Sequence, residues 1–152
     1  MHDDIKLLVA RHYAEYVSSV VRSKNLLEQE IEMLRAQLLP GGVQITDKVS
    51  TSATADSIPN GVIKLQEMIA DFCTKQVEYV EVYRQMHDAL EKIDVIPREA
   101  LTMHYLHLWK WEKVCVEMDY TYDGIMRIRR RGLIDLYDHM PPEHKGILPK
   151  AL

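Results

Sequence analysis

Apolar side chains recur at helical spacing along residues 4–39, where Ile5, Val9, Tyr13, Tyr16, Val20, Leu27, Ile31, Leu34 and Leu38 fall on one stripe. No Gly or Pro interrupts that stretch; Asp3 or Asp4 can cap its start, and Pro40-Gly41-Gly42 ends it. At ~1.5 Å per residue such a helix is on the order of 54 Å long, more than a compact globule of this size needs. A long arm is predicted. Residues 40–60 then collect Thr46, Ser50, Thr51, Ser52, Thr54 and Ser57 among few large apolar groups, as a flexible connector does. Asn60 is placed to cap the next helix.

The cleanest period runs over residues 61–94. Val62, Leu65, Ile69, Phe72, Gln76, Tyr79, Tyr83, Met86, Leu90 and Ile93 alternate three and four apart, a heptad seam broken only by Gln76. Such a seam packs against the first helix as an antiparallel hairpin, or pairs with a second copy of the chain. After Asp94 the period shortens. Pro97 suits a first helical turn and Glu99 its positive end, and residues 97–108 turn Ala100, Leu101, Tyr105 and Leu108 inward. A second short helix, 111–118, turns in Trp111, Val114, Cys115 and Met118. Asp119-Tyr120 makes a turn, Thr121 caps a third helix over 122–139, and Pro141-Pro142 stops it. The expected fold is all-α. A long, coiled-coil-like helical hairpin occupies 1–96, a three-helix helix-turn-helix module 97–140, and a loosely held tail 141–152.

Composition adds a contradiction. The formal net charge is -4, yet Arg127, Arg129, Arg130 and Arg131 crowd into five residues of the last helix. Residues 97–140 hold seven basic and seven acidic side chains, so four of the seven positives sit in that cluster. Guanidiniums this close repel one another, and a polyanion would neutralise them. On a wheel at 100° per residue, Ile125, Ile128, Gly132 and Leu136 point to the core. Gly132 costs roughly 1 kcal/mol against Ala in a helix, which points to close approach of a neighbour. Asp123, Met126, Arg127, Arg130 and Ile134 point outward, with Arg131 and Tyr122 at the margins.

Recognition helices read bases mostly from their N-terminal half. An Arg can fork onto guanine and an acidic residue can accept from cytosine. Tyr122, Asp123, Met126, Arg127 and Arg130 are therefore the candidate base readers. Arg131 and Arg129 suit phosphates, and Thr121 joins the site at the helix start. Double-stranded DNA is the expected partner, with modest affinity because acidic surface elsewhere opposes it.

Known patterns support this arrangement. Residues 97–137 resemble the helix-turn-helix of sigma-70 region 4. The resemblance rests on Arg98-Glu99, Tyr105-Leu106, Trp111-Glu112-Lys113-Val114, Tyr120-Thr121, Ile125-Met126-Arg127-Ile128 and Arg131-Gly132-Leu133. With the long helical pair ahead of it, the chain is similar to phage-encoded transcription regulators of the RinA/ArpU kind. That resemblance implies control of transcription on a phage or integrated element, with RNA polymerase as a further partner; a homodimer through the long helices is expected from the heptad seam itself. Two departures matter: Asp119 stands where the pattern has a turn glycine, and Gly132 where it has alanine.

Other chemistry is thinly represented. Cys73 and Cys115 lie far apart, each on an apolar stripe, and read as buried thiols of a reducing cytoplasm. No signal peptide or membrane span is expected. His104 and His107 can share a helix face, but no Cys or carboxylate completes a zinc site. No cofactor motif or catalytic grouping appears, so an enzyme is not expected. Two further readings stay open. One is a phage DNA-packaging subunit that recognises DNA and oligomerises; the other is a coiled-coil protein-interaction adaptor, suggested by the acidic segment 61–96.

Overall fold

A computed structural model describes residues 2–38 and 51–146, whose regular secondary structure is all helical, without a strand. The all-α expectation holds, with a long N-terminal pair of helices. α1 spans Asp3–Leu38, with Asp3 and Asp4 in its first turn and Arg35 in its last, which suits the helix dipole. α2 spans Thr51–Leu90. Residues 40–50 of the expected connector, its Pro40-Gly41-Gly42 stop, and residues 147–152 of the tail lie outside the described residues.

The rest of the expected connector is helix instead. α2 already runs through Pro59 and Asn60, so Asn60 caps nothing. Ser and Thr cost only a few tenths of a kcal/mol against better helix formers, and extending a nucleated helix is easy. Their enrichment was therefore weak ground for a break.

The chain forms two compact units, one of residues 1–22 and 80–152 and the other of residues 23–79. In the smaller unit the two helices run antiparallel. Lys24 Nζ lies 4.7 Å from the Tyr79 ring centre, and at the other end a Cβ built on Gly61 would come within 2.9 Å of Leu38 Cδ2. Leu27 and Ile31 are buried there, while Leu65, Ile69, Phe72 and Tyr79 are half-buried. Gln76, which interrupts the seam, has its Oε1 enclosed without a hydrogen-bond partner among the described residues. Cys73 is exposed rather than buried, because it sits on the row beside the seam; both cysteines are free thiols.

The larger unit holds the main core. Val9, Ala10, Tyr13, Ala14 and Val17 of α1 meet Val82, Met86, Ala89 and Leu90 of α2, and Leu101, Tyr105, Leu106, Leu133, Leu136 and Met140 close over them. The buried face of α1 is turned from the expected stripe: Ala10, Ala14 and Val17 take part, and Ile5 and Tyr16 lie exposed at its edge. Small side chains let the helices approach closely, so alanines belong to a core that a count of large apolar residues overlooks.

α3, Val95–Leu101, runs into a π-helical turn over Thr102–Leu106. Ser18 donates its hydroxyl to the Tyr105 carbonyl at 2.7 Å within the buried core, satisfying an acceptor in that turn. Leu108 follows with φ 63°. Arg98 closes the end of α2 by donating to the carbonyls of Leu90, Glu91 and Ile93 at 3.1, 3.2 and 3.0 Å. α4 is Trp111–Met118 and α5 is Tyr122–Tyr137. The expected loose tail begins instead with a docked turn, α6, Pro142–Lys145. There the His144 ring lies 4.8 Å from that of Tyr13 and 5.3 Å from that of Tyr16. Burial first, then the nearby Glu143 carboxylate, pushes the Tyr13 phenol well above its ordinary pKa.

Candidate nucleic-acid interface

The turn into α5 is built as its sequence implies. Asp119 ends α4 at φ 59°, ψ 51°, the left-handed conformation that Asp and Asn tolerate better than most side chains. Tyr120 N–H then donates to the Cys115 carbonyl at 3.0 Å, closing the helix end. Thr121 sits extended at the start of α5, and its hydroxyl accepts from Gly124 N–H at 3.1 Å. A capped N-terminus leaves the first turn ordered, with Tyr122 and Asp123 exposed on it.

Beneath α5 lies a second core of Ala100, Val114 and Ile125, flanked by Met103, Trp109, Trp111, Met118, Met126 and Ile128. Gly132 is buried against α3: an added Cβ would stand 2.9 Å from Pro97 Cβ and 3.1 Å from Leu101 Cδ1. The close approach expected from a glycine inside the helix is therefore present. α5 is held from both ends of its inner face, on α4 near Ile125 and on α3 near Gly132.

The four arginines separate around the axis. Arg127 is exposed and forms no ion pair among the described residues. Arg130 Nη2 lies 2.9 Å from Asp4 Oδ1, with the side chains 52% and 83% exposed. Arg131 reaches Asp94 at 3.6 Å, again with both groups in solvent. Such exposed pairs contribute about 0–1 kcal/mol, so a phosphate can displace the carboxylate. Arg129 differs. It is half-buried, its guanidinium lies 5.7 Å from the Trp111 ring centre, and one nitrogen contacts Met126 Sδ at 3.7 Å. A cation stacked inward braces α5 against α4 rather than extending from it. Met126 is also half-buried, packed on the second core. Of the eight candidate residues, then, Thr121, Tyr122, Asp123, Arg127, Arg130 and Arg131 are exposed together, and Arg129 and Met126 lie beneath them.

His104 belongs to the same support. Its Nδ1 lies 2.7 Å from the Trp109 carbonyl and its ring stacks on Trp111 at 4.0 Å. Burial leads in lowering its pKa, and Arg129 and Arg22 add to the effect, outweighing the carbonyl and Glu15. Those contacts occupy the His104 ring, while His107 is exposed. Among the described residues a group with ligand-like spacing is His87, Asp88 and Glu91. All three are exposed and Arg84 already bonds Asp88 at 3.2 Å. Two features escaped the sequence reading: the acids Asp4 and Asp94, distant along the chain from their arginines, and Arg98 as a cap for α2. The only local signal for the latter was a cation shortly after a helix end.

No family model matches the chain, and no curated protein or solved structure matches it. No helix among the described residues is long and apolar enough to cross a membrane.

Proposed function

We propose that the chain is a sequence-specific DNA-binding transcription regulator of a phage or integrated element, akin to the RinA/ArpU kind. It acts in the cytoplasm and reads the major groove with α5. The observation that carries this reading is Arg127, an open guanidinium on a capped helix braced from below by two short helices. Asp123, Arg127 and Arg130 follow at four and three residues apart, so they share one face of α5. At 16 residues that helix is about 24 Å long, ample for a groove about 12 Å wide. Arg127 and Arg130 are assigned to base edges, Arg131 to phosphate. A homodimer through the long helices and contact with RNA polymerase complete the proposal.

The test is selection of bound duplexes from a random pool, followed by anisotropy titrations of the selected sequence. Arg127→Ala is expected to cost ~1–3 kcal/mol and relax sequence preference, whereas Arg131→Ala weakens all sequences about equally. Unchanged binding by an Arg127→Ala/Arg130→Ala variant at moderate salt would sink the assignment.

A second reading, a protein-interaction adaptor, draws on a different observation. Val116 is 83% exposed, Tyr120 and Tyr122 stand open at the start of α5, and Arg130 and Arg131 lean on the chain's own acids. A pool that yields no enriched duplex would favour it.

A further inference from the structure

Within the larger unit a cavity of about 190 Å³ opens between α1 and the segment that leads from the π-helical turn to α4. Buried Ser18 and Tyr105 line it with half-buried His104, Leu108 and Trp109. The backbone on that side leaves the regular helix twice. The π-helical turn over Thr102–Leu106 is a form that recurs at functional sites. Trp109 N–H then closes the turn on the Met103 carbonyl at 2.9 Å, with Leu108 between them at φ 63°. Glycine is the ordinary residue for that left-handed position, and a leucine is strained there. The backbone gains nothing from leucine at 108. What the residue adds is an isobutyl group, and it lines the cavity.

We propose that this cavity is a binding site for a small organic carboxylate with an apolar body. Its size sets the scale of the occupant. Sites for drug-sized ligands hold ~300–1,000 Å³, so this one suits on the order of ten non-hydrogen atoms. Leu108 and Trp109 offer the apolar wall such a body needs. Charge sets the sign. Arg22 and Lys110 stand exposed at the rim, and neither has an ion-pair partner among the described residues. Glu15 is the one acid in the lining, and Arg11 lies 3.5 Å from its carboxylate. Inside, burial and then the guanidiniums of Arg129 and Arg22 keep His104 harder to protonate than usual, against the smaller pull of Glu15. The field at the cavity is therefore cationic, and two free donors at its mouth can hold a carboxylate by charge-assisted hydrogen bonds. The inference is independent of what α5 binds.

The chain's two tryptophans report on the site directly, since Trp109 lines the cavity and Trp111 stacks on His104. Benzoate and its neutral counterpart benzamide, titrated into the full chain at constant ionic strength, are the probes. Benzoate should change the tryptophan fluorescence saturably, with Kd on the order of a millimolar, and benzamide should bind about tenfold more weakly. Arg22→Gln with Lys110→Gln should weaken benzoate about tenfold and leave benzamide within about twofold, which a merely structural role for the two cations would not produce. Leu108→Gly relieves the backbone while opening the wall. It should weaken benzoate about fivefold and keep Tm within about 3 °C of the wild type. A fluorescence change that never saturates, or equal binding of the two probes, overturns the proposal. Benzoate binding that survives both the double charge variant and Leu108→Gly overturns it too, because the anion would then sit elsewhere.

Discussion

Alanine at position 132 probes the joint on which the candidate interface depends. Its Cβ would stand 2.9 Å from Pro97 Cβ, 3.1 Å from Leu101 Cδ1 and 3.5 Å from Leu101 Cγ. Pro97 is buried and its Cβ is part of a rigid ring, so it cannot swing aside; Leu101 is fully buried and has nowhere to turn. One helix must therefore shift by several tenths of an ångström. Overpacking of this kind costs ~1–3 kcal/mol, and Ala returns about 1 kcal/mol of helix propensity over Gly. Taking about 2 for the first leaves a net loss of about 1 kcal/mol, or roughly 2–4 °C in Tm for a chain of this length. Thermal unfolding followed by circular dichroism measures it. A rise in Tm by the propensity gain alone would refute the reasoning, because α5 would not then rest on Pro97.

Three further outcomes are expected. At the left-handed turn, Asp119→Ala should destabilise by about 1 kcal/mol, whereas Asp119→Gly should be neutral or slightly stabilising; equal denaturation midpoints for the two would remove the argument. Asp4→Asn with Asp94→Asn frees Arg130 and Arg131, so affinity for the selected duplex should rise and the salt dependence steepen by about one phosphate contact, that of Arg131. Stability should change by less than about 1 kcal/mol, and titrations across a salt series decide between the two effects. For His104, whose folded-state pKa is depressed, the unfolded chain binds the proton more readily. Its neutral contribution is thus complete above about pH 6.5 and is lost as pH falls through that value toward the lower folded pKa. Melting His104→Gln beside the wild type from pH 7.5 to 5 should show a shallower acid loss in the variant.

Much of the C-terminal helical module could be read from local signals. The Thr121 cap, the inward set Ile125, Ile128, Gly132 and Leu136, and the 111–118 helix depend on residues within a turn or two of one another, and they are where the pattern put them. Helix ends were less legible. Ser and Thr stretches resemble loops in composition but extend a helix at small cost, so α2 reaches back to Thr51. Cys73 and the row around it show another limit, since a seam and a second apolar row one residue away have the same period.

By itself the chain's pattern of apolar and polar positions determined the helices, the turn at Asp119 and the cluster of four arginines, because each is written within a few neighbouring residues. What each arginine can do was decided only in three dimensions. Arg129 braces Trp111, Arg130 meets Asp4 from 126 positions away, Arg131 meets Asp94, and Arg127 stays open. Those differences come from how the helices pack. Which face turns inward, and which distant acid arrives beside it, is a property of contacts that no local pattern encodes.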